Sequence, residues 1–186
     1  MEKILNDRLY TYADYEKWDD GMRYELIDGV VYMMSPSPTW YHQGIIGELY
    51  FQLANFLQGK PCRVFVSPLD VRLNADGADD TVVQPDLLII CDRSKLDDKN
   101  CKGVPDMAIE VVSPSSSRLD RLLKYQKYQA YGVREYWIVD PEDKIVHACV
   151  LENGKYIVSA YCEDDSAPVG ILDGCVIDLG KVFADY

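Results

Sequence analysis

Two carboxylates stand out because each interrupts an apolar run: Asp86 in Val82-Val83-Gln84-Pro85-Asp86-Leu87-Leu88-Ile89-Ile90-Cys91, and Glu110 in Met107-Ala108-Ile109-Glu110-Val111-Val112. An isolated carboxylate in such surroundings is costly unless something compensates it. On neighbouring strands the two would stand side by side, and their repulsion would raise one pKa unless a divalent cation lay between them. The plainer reading makes them caps for loop amides at strand ends. Further on, Lys124, Tyr128 and Tyr131 share one helix face at i, i+4 and i+7. A lysine there can point back at the sheet and, beside a metal and a phosphate, stabilise developing charge or orient a water. Without such neighbours it is a solvated helix lysine. Glu25 falls on a strand, His42 stands just ahead of a long helix where an imidazole can meet a phosphate or cap and pack, and Asp70 alternates with apolar neighbours.

The elements that must carry these residues follow from local patterns. Tyr12, Tyr15 and Trp18 recur at three-residue spacing behind Thr11, which predicts a short helix over 11–18. Asp28-Gly29 between two β-favouring runs predicts a hairpin with Glu25 on its first strand. Ile45, Leu49, Leu53 and Phe56 predict a first long helix over 44–57, entered through Thr39 or His42. Residues 63–73 and 82–91 read as two strands that pair across the polar loop 74–80, and 92–102 reads as a charged loop. A strand over 107–112 leads through Ser113-Pro114-Ser115 to a helix from Arg118 to Tyr131, capped by the serines and stopped by Gly132. Strands over 135–141 and 144–151 follow. The order of hairpin, helix, three strands, helix and strands predicts an α/β fold, a mixed central sheet flanked by helices.

At 186 residues the chain is read as one domain, with its core over about 22–150 and further strands over 151–186. The start has no basic segment leading into an apolar one, and no stretch approaches 18 uninterrupted apolar residues, which points to a cytoplasmic protein without a membrane span. Six widely spaced cysteines with no CxxC pair and only two histidines argue against a structural zinc site and are read as reduced, small hydrophobes. A formal net charge of −12 runs against nucleic-acid binding, although unpaired carboxylates attract Mg2+ or Mn2+ and local basic patches survive in an acidic whole.

Several stretches together resemble one family. Tyr24-Glu25-Leu26-Ile27-Asp28-Gly29, Gln84-Pro85-Asp86, Glu110-Val111-Val112-Ser113-Pro114-Ser115, Asp120 with Lys124 and Tyr128, and Gly132-Val133-Arg134-Glu135-Tyr136-Trp137-Ile138-Val139-Asp140-Pro141 look like the Uma-type putative restriction endonucleases of the PD-(D/E)XK superfamily. The resemblance covers roughly residues 10–150. It implies a restriction-endonuclease-like αβββαβ core with an added N-terminal hairpin, and a metal-dependent endonuclease that hydrolyses phosphodiester bonds, with DNA the expected substrate. It implies that Asp86 and Glu110 bind Mg2+ or Mn2+ and that Glu25 is a further metal or water ligand. The chain departs from the superfamily where Val112 replaces the lysine expected two residues after the glutamate, and the resemblance implies that Lys124 supplies the ammonium from the next helix.

The competing expectation is a non-catalytic binding module that keeps the nuclease fold and an acidic metal pocket. No helix-turn-helix, zinc finger or basic arm is visible to read bases. Cutting both strands commonly needs two sites, and the apolar segment 169–183, read as exposed, is the expected homodimer face.

Overall fold

The computed structural model describes residues 2–4, 8–34, 39–112 and 118–184. The serine-proline segment after the Glu110 strand and the expected caps at 115–117 lie outside them.

The N-terminal part begins with β1 (Glu2–Lys3) and a single helical turn, α1 (Tyr12–Tyr15), shorter than the 11–18 helix expected. The hairpin β2 (Tyr24–Ile27) and β3 (Val30–Met33) follows the sequence reading. Asp28 and Gly29 both take positive φ, 52° and 74°, the two-residue turn whose twist suits a hairpin. Glycine is needed at position 29 for a second reason: a Cβ there would lie 2.9 Å from Leu9 Cβ. Helix α2 (Trp40–Phe56) starts four residues earlier than its apolar periodicity suggested, because Thr39 caps it by accepting a hydrogen bond from the His42 backbone N–H.

The two long β-rich runs do not form single strands. Residues 63–73 divide into β4 (Arg63–Val66) and β5 (Asp70–Arg72), and residues 82–91 into β6 (Val82–Val83) and β7 (Leu87–Ile90). Each run contains a proline, Pro68 or Pro85, that cannot donate to a ladder, and each changes sheet there. Pairing survives in two halves: β4 with β7, and β5 with β6, both antiparallel. The expected charged loop holds a 3-10 turn (Arg93–Lys95) and β8 (Asn100–Lys102), which pairs parallel with β5.

The remaining elements are β9 (Met107–Val111), α3 (Arg118–Tyr131), β10 (Glu135–Asp140), β11 (Ile145–Glu152), β12 (Lys155–Cys162), β13 (Ser166–Pro168), β14 (Val176–Asp178) and α4 (Leu179–Val182). The expected single central sheet is thus two six-stranded mixed sheets, ordered β1-β3-β2-β6-β5-β8 and β12-β11-β10-β9-β7-β4, with β13 and β14 as a small third pair. Within the second sheet, α2, β4, β7, β9, α3 and β10 follow one another as α-β-β-β-α-β.

Strand alternation divides the core of this sheet between its faces. Leu87, Ile89, Ile109, Val111, Trp137 and Val139 pack with α2, while Leu88, Ile90, Ala108 and Tyr136 pack with Tyr128 of α3. Glu110, alternating with Ala108, therefore belongs to the α3 face.

Two further expectations are corrected. The apolar segment 169–183 is mostly covered, not exposed: Val169, Leu172, Cys175, Ile177, Leu179, Val182 and Phe183 are buried in the α2 side of the core, and Val176 alone among its large apolar side chains is exposed. Gln52 holds it through both amide atoms, donating to the Asp178 carbonyl and accepting from the Asp178 N–H. The cysteines are also not all reduced. The β4/β7 register, with Arg63 opposite Ile90, brings Cys62 and Cys91 across from each other, and they form a disulfide, a relation that a spacing of 29 residues does not reveal. Cys101, Cys149 and Cys175 are free and buried as expected, and Cys162 is free and exposed.

Candidate active site

The site forms where the two sheets meet. Leu87 pairs with Ile109 and Leu88 with Ala108, so extending that antiparallel register by one step sets Asp86 opposite Glu110. Glu25 comes from the other sheet. Its strand β2 is flanked by β3 and β6, which leaves Glu25 with no exposure to solvent. Helix α3 lies over both, and its i, i+4 pair Lys124 and Tyr128 is buried against them.

Lys124 Nζ stands 2.7 Å from Glu110 Oε1 and 2.9 Å from Glu25 Oε1. The Tyr128 hydroxyl donates to Glu110 Oε1 at 3.1 Å, and the Gln84 backbone N–H donates to Glu25 Oε1 at 2.7 Å. Asp86 Oδ2 accepts the Val111 backbone N–H at 2.9 Å, so the strand-end capping considered for Asp86 is present. His42 Nε2 lies 2.9 Å from the Val111 carbonyl oxygen and 3.5 Å from Asp86 Oδ2. A carbonyl can only accept, so Nε2 carries the proton and is shared between the two oxygens.

Three acidic side chains crowd around one ammonium here, with His42 beside Asp86. Burial, together with Asp86 and Glu25 nearby, pushes the Glu110 carboxyl up to about 7 against the opposing pull of Lys124. Burial disfavours the Lys124 ammonium, but Glu110 and Glu25 outweigh it and hold the proton on Lys124 well above the usual lysine range. Burial likewise opposes the imidazolium of His42, and Asp86 and the Val111 carbonyl reverse that, raising its pKa. Burial and the neighbouring Glu110 and Glu25 raise the Tyr128 phenol, which stays a donor.

The donor set suits a hard divalent cation. Glu25 Oε2 is buried without a hydrogen-bond partner, and Asp86 Oδ1 accepts no hydrogen bond among the described residues. Open carboxylate oxygens in a region short of positive charge are what a cation would complete. Among the described residues no three His, Cys, Asp or Glu side chains are drawn together as a ready cage, since Lys124 occupies the space between Glu110 and Glu25.

The structure thus brings Glu25, Glu110 and Lys124 into contact and sets Asp86 and His42 beside them. Asp70 is not in this cluster. It accepts from Tyr15 and from Gln84 Nε2, one residue removed from the centre. Sequence reasoning did not single out the side chains of Gln84 and Arg23, which hydrogen-bond to each other beside the cluster. The available signal was strand alternation, which puts Arg23 on the same side of its strand as Glu25.

The α-β-β-β-α-β core with carboxylates at a strand junction defines a restriction-endonuclease-like protein. The Uma2 family model, described as a putative restriction endonuclease, matches residues 12–179, and the chain belongs to that family. A solved structure described as a putative nuclease belonging to DUF820, from Anabaena variabilis, shares the fold with a TM-score of 0.77 at 18% identity, over 94% of this chain and 98% of that one. No curated protein matches the chain. No helix among the described residues is long and apolar enough to cross a membrane.

Proposed function

We propose that the protein is a divalent-metal-dependent endonuclease that hydrolyses phosphodiester bonds in DNA. The observation that carries this reading is the acidic cluster itself: Glu25, Asp86 and Glu110 gathered around Lys124, with Glu25 Oε2 buried and unpartnered. Asp86 and Glu110, joined by Glu25, would hold Mg2+ or Mn2+. Such an ion supplies acidification of the attacking water and shielding of the phosphate charge. Lys124 brings a fixed ammonium to the reacting phosphate, where negative charge builds up. Tyr128 and the Gln84 backbone N–H donate to the same Glu110 and Glu25 oxygens that Lys124 contacts and so fix those carboxylates, while His42 with the Val111 N–H fixes the rotamer of Asp86. Cutting both strands of a duplex calls for two such sites, hence a second copy of the chain, which a sedimentation measurement with bound duplex would detect.

The test is cleavage of plasmid DNA in Mg2+ or Mn2+. Asp86→Ala, Glu110→Ala and Lys124→Ala each abolish cleavage while the circular dichroism spectrum stays native. Cleavage retained by Asp86→Ala would sink the proposal.

One observation favours the non-catalytic reading: the Lys124 ammonium is already engaged by two carboxylates rather than open to a substrate. Calorimetric Mn2+ binding without cleavage of any DNA or RNA would decide for that reading.

A further inference from the structure

Beside the carboxylate cluster sits a cation that the proposed chemistry does not use. Arg23 lies two residues before Glu25 and is solvent-exposed. Its Nε and Nη2 donate to Gln84 Oε1 at 3.0 and 2.6 Å, and Nη2 also donates to Ser67 Oγ at 2.7 Å. Gln84 is buried, and its amide orientation is fixed from behind: Nε2 donates to Asp70 Oδ1 at 2.7 Å and to the Tyr15 hydroxyl at 3.1 Å. Only Oε1 can then face Arg23. The same Gln84 gives its backbone N–H to Glu25, and the Ser67 backbone N–H pairs with the Asp86 carbonyl at 3.0 Å. Both anchors of Arg23 are therefore neighbours of proposed metal ligands.

Both anchors are also neutral. In a chain of net charge −12, a guanidinium held by an amide and a hydroxyl keeps its full charge for something else. Its Nη1 makes no hydrogen bond among the described residues. A planar fork with donors to spare, fixed at the rim of an acidic centre, matches a phosphate oxygen pair.

Resting on the nuclease reading, we propose that Arg23 is a substrate-positioning residue that binds a backbone phosphate of the nucleic acid adjacent to the scissile one. It offsets the repulsion that the carboxylates impose on the approaching strand and sets the register in which a phosphodiester meets Lys124. Gln84 couples the two parts by orienting Arg23 with its side chain and Glu25 with its backbone.

The test uses the full chain and a fluorescein-labelled 20-residue DNA duplex in Ca2+, read by anisotropy across a salt series, with cleavage kinetics in Mg2+ alongside. Arg23→Ala weakens binding roughly tenfold or more and lowers the slope of log affinity against log salt by about one phosphate contact. It lowers kcat/KM chiefly through KM, while calorimetric Mn2+ affinity stays at the wild-type value. Arg23→Lys keeps the salt slope but recovers only part of the affinity, because the fork is lost. Wild-type protein that binds the duplex no better than Arg23→Ala overturns this assignment and leaves the nuclease reading standing. Wild-type protein that binds no nucleic acid overturns both. Loss of Mn2+ binding in Arg23→Ala also overturns it, since Arg23 would then be supporting the metal centre.

Discussion

Lys124 and Glu110 meet at 2.7 Å although they stand on different elements, the lysine on α3 and the glutamate on β9. The superfamily pattern would put both on one strand, and Val112 occupies the position where the lysine is expected. Here the helix crosses the sheet closely enough for a long side chain to reach the same point. Glu25 shares that ammonium from the opposite side.

Removing the ammonium leaves buried carboxylates without compensation. Lys124→Met is expected to lower metal-free stability by about 3 kcal/mol, the low end for breaking a buried ion pair, because Glu110 can take up a proton. Urea unfolding in EDTA measures this, and Mn2+ should recover part of the loss. A variant as stable as wild type would mean that Lys124 is not what balances Glu25 and Glu110.

Metal affinity should follow the state of Glu110. Its carboxyl is raised to about 7, so a proton competes with the ion below that pH and the ion gains as the pH rises. Mn2+ affinity measured by calorimetry is expected to climb by up to about tenfold per unit below neutrality and to level off above it. Glu110→Gln should bind weakly with no such climb. The sign for the metal-free fold is opposite. A carboxyl raised on folding contributes most below its unfolded pKa, and that contribution is lost as pH rises through about 7.

Away from the site, Glu135 is buried and accepts two donors, Trp137 Nε1 at 2.7 Å on Oε1 and the Ile171 N–H at 2.9 Å on Oε2. Burial raises its pKa, but two donors aimed one at each oxygen call for a carboxylate. In Glu135→Gln an amide NH2 must face an N–H, and a loss of about 1–3 kcal/mol is expected in guanidinium unfolding. Unchanged stability would show that Glu135 does not tie segment 169–175 to β10.

The disulfide should be felt globally. Cys62 and Cys91 close a loop with a sequence separation of 29, and opening it is expected to cost roughly 3–4 kcal/mol by chain entropy. Unfolding of the Cys62→Ser, Cys91→Ser double variant against the oxidised protein measures it, and equal midpoints would exclude a stabilising bridge.

Local signals carried much of this fold into the sequence. Asp28-Gly29 announced the hairpin, Gly132 closed α3 where expected, and apolar runs marked β7, β9 and β10. What stayed hidden depends on long-range geometry. A β-rich run does not tell on which side of Pro68 or Pro85 the chain will change sheets. An apolar segment such as 169–183 reads the same whether it covers a core or a partner. Cys62 and Cys91 become neighbours only through the β4/β7 register. Within the site, the carboxylates were legible because charge inside an apolar strand is costly, whereas Arg23 and Gln84 were not, because polar residues at strand ends are ordinary.

Glu25 is held in one sheet and Glu110 in the other, with Asp86 at the entry to β7 beside it, and Gln84 with Pro85 forms the short bridge of chain between the sheets. The acidic centre therefore does not exist in either half alone; it is a joint that closes only when the two sheets dock. A folding intermediate with one sheet formed would hold either Glu25 or the Asp86 and Glu110 pair but never all three, so if the cluster takes up the proposed ion, full-affinity uptake would serve as a clock for the final assembly step, reporting the moment at which the two halves of the molecule come together.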